Sequence, residues 1–169
     1  MEENPYQVRI AVPSDAAGII KCMQNVMSEK VYLVSEIYLY TERGQKDILR
    51  NPDDLTLVSV FGGEIIGTMN IQRGFYKKNR HTANLGIAIE SGHRGKGIGR
   101  RMIEEGIKWC RENGIAKLNL EVFSSNVNAI SLYKKIGFTV EGQRKGQFLV
   151  GNDYVDDVLM TIYPMEYKK

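Results

Sequence analysis

The stretch that most constrains this chain is Arg94-Gly95-Lys96-Gly97-Ile98-Gly99-Arg100-Arg101. Three alternating glycines leave the backbone without side-chain cover, and four cations crowd the same turn. A β-like run, Asn84 to Ile89, precedes it, and a helix-like run, Met102 to Glu112, follows. Unbonded N–H groups at a helix start, the positive end of the helix dipole and neighbouring cations together make an anion site. Successive bare N–H groups in such a loop also wrap around a phosphate. The stretch therefore predicts a strand–loop–helix unit that holds a polyanion.

Two nucleotide motifs do not fit. A P-loop needs G-x-x-x-x-G-K-[ST], but Lys96 is followed by Gly97 and no hydroxyl stands ready for magnesium. A dinucleotide fingerprint needs G-x-G-x-x-G; Gly97 and Gly99 begin it, and Met102 stands where the third glycine belongs.

The whole chain, residues 1–169, is long enough for one domain with a real core. Hydrophobic residues make up 43% and charged residues 25%, a globular balance. A net charge of +3 is too small to imply nucleic-acid binding, and the local clustering of cations favours a specific anion. Cys22 and Cys110 have no metal spacing and read as reduced, small hydrophobes, so no metal is expected and the cytoplasm is the expected compartment. The start, Met-Glu-Glu-Asn-Pro, is acidic and polar, so no signal peptide is expected there, and no apolar run is long enough to span a bilayer.

Along the chain, Gln7–Ala11 alternates as a strand, and Pro13-Ser14-Asp15 stops it and caps a helix with Ile19, Met23 and Met27 on its apolar face. Val31 to Arg50 reads as one short or broken helix and then another. Leu55–Phe61, the turn Gly62-Gly63 and Glu64–Gln72 form a hairpin, with Ile65, Gly67, Met69 and Ile71 on one face. His81–Ile89 feeds the glycine loop. Lys117–Phe123 alternates, Leu118, Leu120 and Val122 opposite Asn119, Glu121 and Phe123. Ser124-Ser125-Asn126 caps a short helix that Gly137 ends. Phe138–Val140 begins a strand, a polar glycine-rich turn follows, and Val155–Tyr163 is the last strand, with Asp156-Asp157 at its entry. The order predicts a mixed α/β domain.

The loop resembles the GNAT (Gcn5-related) N-acetyltransferase signature [QR]-x-x-G-x-[GA], filled by Arg94, Gly97 and Gly99. Asn126-x-x-Ala129-x-x-Leu132-Tyr133-x-x-x-Gly137-Phe138 is similar to a second block of that family. Glu141-Gly142 and Asp156-Asp157-x-Leu159-Met160 resemble the branch of ribosomal-protein-alanine acetyltransferases. The resemblance implies a single-domain GNAT fold over residues 1–169: a mixed central β-sheet, helices on both faces, and a bulge that splays two strands around acetyl-CoA. Its motif core spans about residues 81–140 and its acceptor-side helices about 14–50. It implies pyrophosphate binding by Arg94, Gly95, Lys96, Gly97, Ile98, Gly99 and Arg100, and pantetheine binding by the backbone of Ile87, Ala88 and Ile89. Ser91 departs from the proline that many relatives carry before the loop. Asn126 is a pantetheine contact, a helix cap or both. The family also admits a homodimer, which nothing in the chain fixes.

Acetyl transfer to an amine needs a neutral nitrogen. A lysine-like amine, with a pKa of about 10.4, is neutral in roughly one molecule in a thousand at pH 7. A base that takes the proton contributes on the order of 10²–10⁴ in rate, and the departing thiolate needs an acid. By resemblance, Tyr133 is the acid and Glu121, in Leu120-Glu121-Val122, the base. Tyr133 read as a core aromatic and Glu121 as a salt-bridge partner are the bland alternatives. Glu90, His81 and His93 are weaker candidates, and the Ile87 N–H is the expected oxyanion donor. Tyr32, Glu36, Tyr38 and Phe75 are expected around the acceptor, a primary amine such as a peptide N-terminus, a polyamine or a small molecule. Neither cysteine lies in the motif blocks, which argues for direct attack in a ternary complex. The reading from another class is a non-catalytic CoA-binding sensor or interaction module.

Overall fold

In the computed structural model, which describes residues 5–165, a seven-stranded mixed sheet runs through the molecule. The acidic start, Met1–Asn4, lies outside the described residues. The elements are β1 (Gln7–Ile10), α1 (Ala16–Ser28), α2 (Glu42–Leu49), β2 (Leu55–Phe61), β3 (Glu64–Arg73), β4 (Thr82–Ile89), α3 (Ile98–Glu112), β5 (Lys117–Phe123), α4 (Val127–Ile136), β6 (Thr139–Val150) and β7 (Asp153–Ile162). Strand order is β1-β2-β3-β4-β5-β7-β6. The β4–β5 pair is parallel, as a crossover through α3 requires, and the other pairs are antiparallel.

Strand alternation sorts the side chains onto two faces. Leu118, Leu120 and Val122 are buried with Ile103, Ile107 and Cys110 of α3, and with Tyr133 of α4. Gly106 lets α3 settle onto β3: a Cβ there would stand 2.7 Å from Met69 Cε and 2.8 Å from Ile71 Cδ1. On the opposite face Ile19 of α1 and Val58 of β2 form a smaller cluster, with Leu49 of α2 against it.

Local chemistry moves several boundaries. α3 begins at Ile98, four residues before Met102, because Gly97 supplies the left-handed turn (φ 78°) that releases the helix. Asp15 does not cap α1 through its side chain; it accepts from the Val12 N–H at 2.8 Å and from both terminal nitrogens of Arg9 at 2.7 and 2.9 Å. Residues 31–50 hold one helix, α2, capped by Thr41, whose hydroxyl accepts from the Gly44 N–H. Ile65 leaves the face of Met69 and Ile71: the register slips between Ser59↔Gly67 and Val60↔Ile65, so Ile66 is an extra residue that turns Ile65 toward α1. The glycine-rich stretch after Val140 is mostly strand, and its turn is confined to Gly151-Asn152. β6 continues to Val150, absorbing Gly142 and Gly146 as irregularities against β7.

The sheet opens at its centre. β4 and β5 pair over Thr82–Asn84 and Lys117–Asn119 and then diverge. No bulge in β4 causes this, contrary to the bulge the resemblance implied. The β3–β4 register is unbroken from Arg73↔Ala83 to Gly67↔Ile89, and β5 stays in register with β7 through Phe123.

Candidate functional site

The opening between β4 and β5 is the floor of a cleft of about 210 Å³. Hydrogen-bond parity decides what β4 offers it. Glu90 N–H bonds to Ile66 O, and Gly74 N–H to Thr82 O. Even-numbered residues of β4 therefore turn their N–H and C=O toward β3, and odd-numbered ones turn away. The odd-numbered His81 carbonyl accordingly accepts from Ala116 and Lys117 on the β5 side. Past the divergence, Ile87 and Ile89 face a gap where no strand follows. Ile89 O is taken by Arg94 Nε at 2.7 Å. The Ile87 N–H, Ile87 C=O and Ile89 N–H remain for a ligand. Ala88 lines the cleft, but its backbone groups belong to β3, which corrects the expectation that all three residues offer theirs.

The glycine loop follows β4, and its first residue, Arg94, lines the cleft. Gly95 and Gly97 hold φ 73° and 78°, and nothing lies within 4 Å of where a Cβ would stand. The first helical bond of α3 is Arg101 N–H to Gly97 O at 3.2 Å. The N–H groups of Ile98, Gly99 and Arg100 precede it, and among the described residues no acceptor takes them. A bare backbone, an N-terminal dipole and open space fit a pyrophosphate. The cations are arranged otherwise than their number suggests. Arg94 makes a two-pronged pair with Glu29, the C-cap of α1, at 2.8 and 2.9 Å. Lys96 Nζ donates to Tyr6 Oη at 3.0 Å, Arg101 donates to Tyr6 O, and Arg100 pairs with Glu104. They brace the loop from its rim.

Tyr133 enters the cleft from α4, on the α3 side of the sheet. It is 7% exposed, among the described residues no group hydrogen-bonds its hydroxyl, and burial pushes its pKa up to about 12. The phenol stays protonated at neutral pH and has a proton to give. Asn126 is the N-cap of α4, its Oδ1 accepting from the Ala129 N–H at 3.3 Å, and it also lines the cleft.

Glu121 enters from the opposite face, with its side chain 59% exposed and 3.2 Å from Arg144 Nη1. Asp157, across the sheet from Phe123 and Arg144, shares this face and lines the same cleft. Its carboxyl is 1% exposed and accepts from Arg144 Nη1 at 2.6 Å. Burial, and then the Glu121 charge, push its pKa above the ordinary carboxylate range despite Arg144. Asp156 and Asp157 are adjacent acids alike in sequence, and only the register of β7 separates them.

Of the expected acceptor residues, Tyr32 lines the cleft, with Leu33, Val34 and Phe148 beside it. Glu36 pairs with Lys30, and Tyr38 donates to the buried Gln45. Phe75 is 83% exposed against Tyr76, outside the cleft. Glu90 accepts from Asn25, and His93 packs on Tyr6 behind the loop. Both cysteines are buried, with thiol pKa values pushed up to about 12 by burial. Among the described residues no group of acids, histidines or cysteines could hold a metal, and no helix is long and apolar enough to cross a membrane.

Residues 21–138 match the acetyltransferase (GNAT) family. The chain is 30% identical over 119 residues to the L-amino acid N-acetyltransferase AaaT of Escherichia coli, covering 69% of this chain and 73% of that one. It is 32% identical over 76 residues to the E. coli [ribosomal protein bS18]-alanine N-acetyltransferase, 45% of this chain and 51% of that one. Among solved structures, a GNAT acetyltransferase of Streptococcus pneumoniae superposes with a TM-score of 0.88 at 28% identity, covering 94% of this chain and 99% of that one. YncA of Salmonella typhimurium, a putative acetyltransferase solved with its cofactor acetyl-CoA, gives 0.87 at 20% identity over 98% of both, a likeness of fold.

Proposed function

The chain belongs to the acetyltransferase (GNAT) family, and from that premise we propose which of its residues carry out the transfer. It is an acetyl-CoA-dependent N-acetyltransferase that moves the acetyl group to a primary amine. The observation that carries the assignment of roles is the unpaired edge of β4, lying between the glycine loop and Tyr133. The loop and the start of α3 take the pyrophosphate of the co-substrate. Ile87 and Ile89 take its pantetheine arm as a missing strand would be taken, and Asn126 lies beside it. The thioester then falls next to Tyr133.

The amine comes from the α1–α2 side. Glu121 takes its proton, the nitrogen attacks the thioester carbon, and the Ile87 N–H steadies the carbonyl oxygen. Tyr133 protonates the departing sulfur. Transfer is direct, because neither buried thiol reaches the cleft as a thiolate. The apolar lining from Tyr32, Leu33, Val34 and Phe148 favours an amine carried on an apolar group, an amino acid or peptide N-terminus, over a polyamine. AaaT, by its name, acts on L-amino acids. The unpaired thiols agree with a cytoplasmic enzyme.

Tyr133→Phe tests the acid role. Turnover should fall by about 10²–10⁴, with acetyl-CoA affinity by calorimetry unchanged; unaltered turnover removes Tyr133 from that role. A thiol-release screen of apolar amino acids, an alanine-starting peptide and spermidine tests the acceptor class, and preference for spermidine overturns it.

A further inference from the structure

One group in the cleft is left over by this mechanism. Asp157 Oδ2 is held by Arg144, but Asp157 Oδ1 is buried, and among the described residues it has no hydrogen-bond partner. A buried carboxylate oxygen without a donor is costly, and a proton on it removes the cost. The same nitrogen, Arg144 Nη1, reaches Glu121 Oε1. Two carboxyls therefore sit side by side on one face of the sheet, with one guanidinium between them. One cation offsets one of two adjacent negative charges, so the pair holds a proton more readily than a lone carboxylate does.

We propose that Asp157 is a positioning residue for acetyl transfer: its buried carboxyl shares a proton with Glu121 around Arg144, so that the two acids take the amine's proton as one unit. This rests on the acetyltransferase reading. In its ionised form the pair accepts a proton from R–NH₃⁺, leaving R–NH₂ to form the C–N bond as the C–S bond breaks. Tyr133 protonates the sulfur and is reprotonated, through water, by the second proton lost from nitrogen. The proton on the pair leaves to solvent. The groups facing Asp157 are Glu121 from β5 and Arg144 from β6. Its neighbour Asp156 points to the other side of β7, held by Gln143, Lys145 and the Gly146 N–H. Tyr133 and Arg94 also line the cleft. Burial and the Glu121 charge raise the Asp157 pKa, the direction a shared proton requires. A proton acceptor raised toward working pH transfers protons more effectively than an ordinary exposed acid.

The test reads the carboxyls directly. The full chain, labelled with ¹³C at its Asp and Glu carboxyls and saturated with CoA, is titrated by NMR from about pH 3 to about pH 9. Asp157 should titrate above about 3.9. In Glu121→Gln its titration should move down, and in Arg144→Gln it should move up. An Asp157 that titrates at or below the ordinary value, unmoved in Glu121→Gln, overturns the proposal. This readout needs no acceptor, so it stands apart from any failure to find a substrate. With an acceptor that turns over, Asp157→Asn should cut kcat at least about tenfold and displace the acidic limb of kcat/KM, leaving CoA affinity unchanged, and Asp157→Glu should restore part of the rate. An unmoved limb in Asp157→Asn also overturns it.

Discussion

Gly97 shows how one residue serves both chain and ligand. Its φ of 78° lies in the left-handed region, and the space beside it is open. A side chain there meets no protein atom, so the penalty comes from backbone conformation and from the ligand. Gly97→Ala should lower stability by about 1–2 kcal/mol, read from urea unfolding, and should weaken acetyl-CoA in calorimetry. Gly97→Asn should lose less stability, because asparagine tolerates this region. Equal losses for both would show that a contact, not φ, demands the glycine. At this scale the sequence showed the loop clearly and its cations poorly. Glycine spacing is a local property, whereas the partners of Arg94 and Lys96, Glu29 and Tyr6, are distant in the chain. Glu121 was legible because alternation within one strand separates it from Leu120 and Val122. Asp157 was not, because Asp156 and Asp157 differ only in which side of β7 they occupy.

Elements were legible where a period or a cap was strong. α3, α4, the Gly62-Gly63 hairpin and β5 all follow local rules. Residues 31–41 do not: Val34, Ile37 and Leu39 are apolar yet 70%, 66% and 83% exposed, so hydrophobicity there signalled neither helix nor core. The extra residue in β3, Ile66, was also invisible, because register belongs to a pair of strands and not to either sequence. α4 offers the sharpest test at this scale, since Asn126 both caps it and borders the cleft. Asn126→Ala should cost about 1 kcal/mol through the lost cap, and Asn126→Ser should recover most of that. If the side chain also holds the pantetheine arm, acetyl-CoA affinity stays low in the serine variant although stability returns. Recovery of both together would leave Asn126 with the cap alone.

At the scale of the whole molecule, the sheet is two halves joined at one end. β1–β4 form an antiparallel meander, β5–β7 a second antiparallel group, and among the described residues three β4–β5 pairings connect them. The gap has a chemical sidedness that follows from parity. Its β4 edge presents Ile87 and Ile89, while Ala88 between them is bonded into β3. The glycine loop and Tyr133 lie on the α3–α4 side of this edge, and the two carboxyls lie on the α1–α2 side. Donor and acceptor can thus reach the same carbonyl from opposite faces without competing for one entrance. That arrangement makes a prediction residue by residue. In hydrogen exchange, the Ile87 and Ile89 amides should exchange faster than the Ala88 amide in the free protein, because only the Ala88 amide has a strand partner. Saturation with CoA should slow Ile87 and Ile89 by at least about tenfold and leave Ala88 unchanged. Slowing of Ala88 alone, or of none of the three, would mean that the pantetheine arm does not complete this edge, and the cleft would need a different occupant.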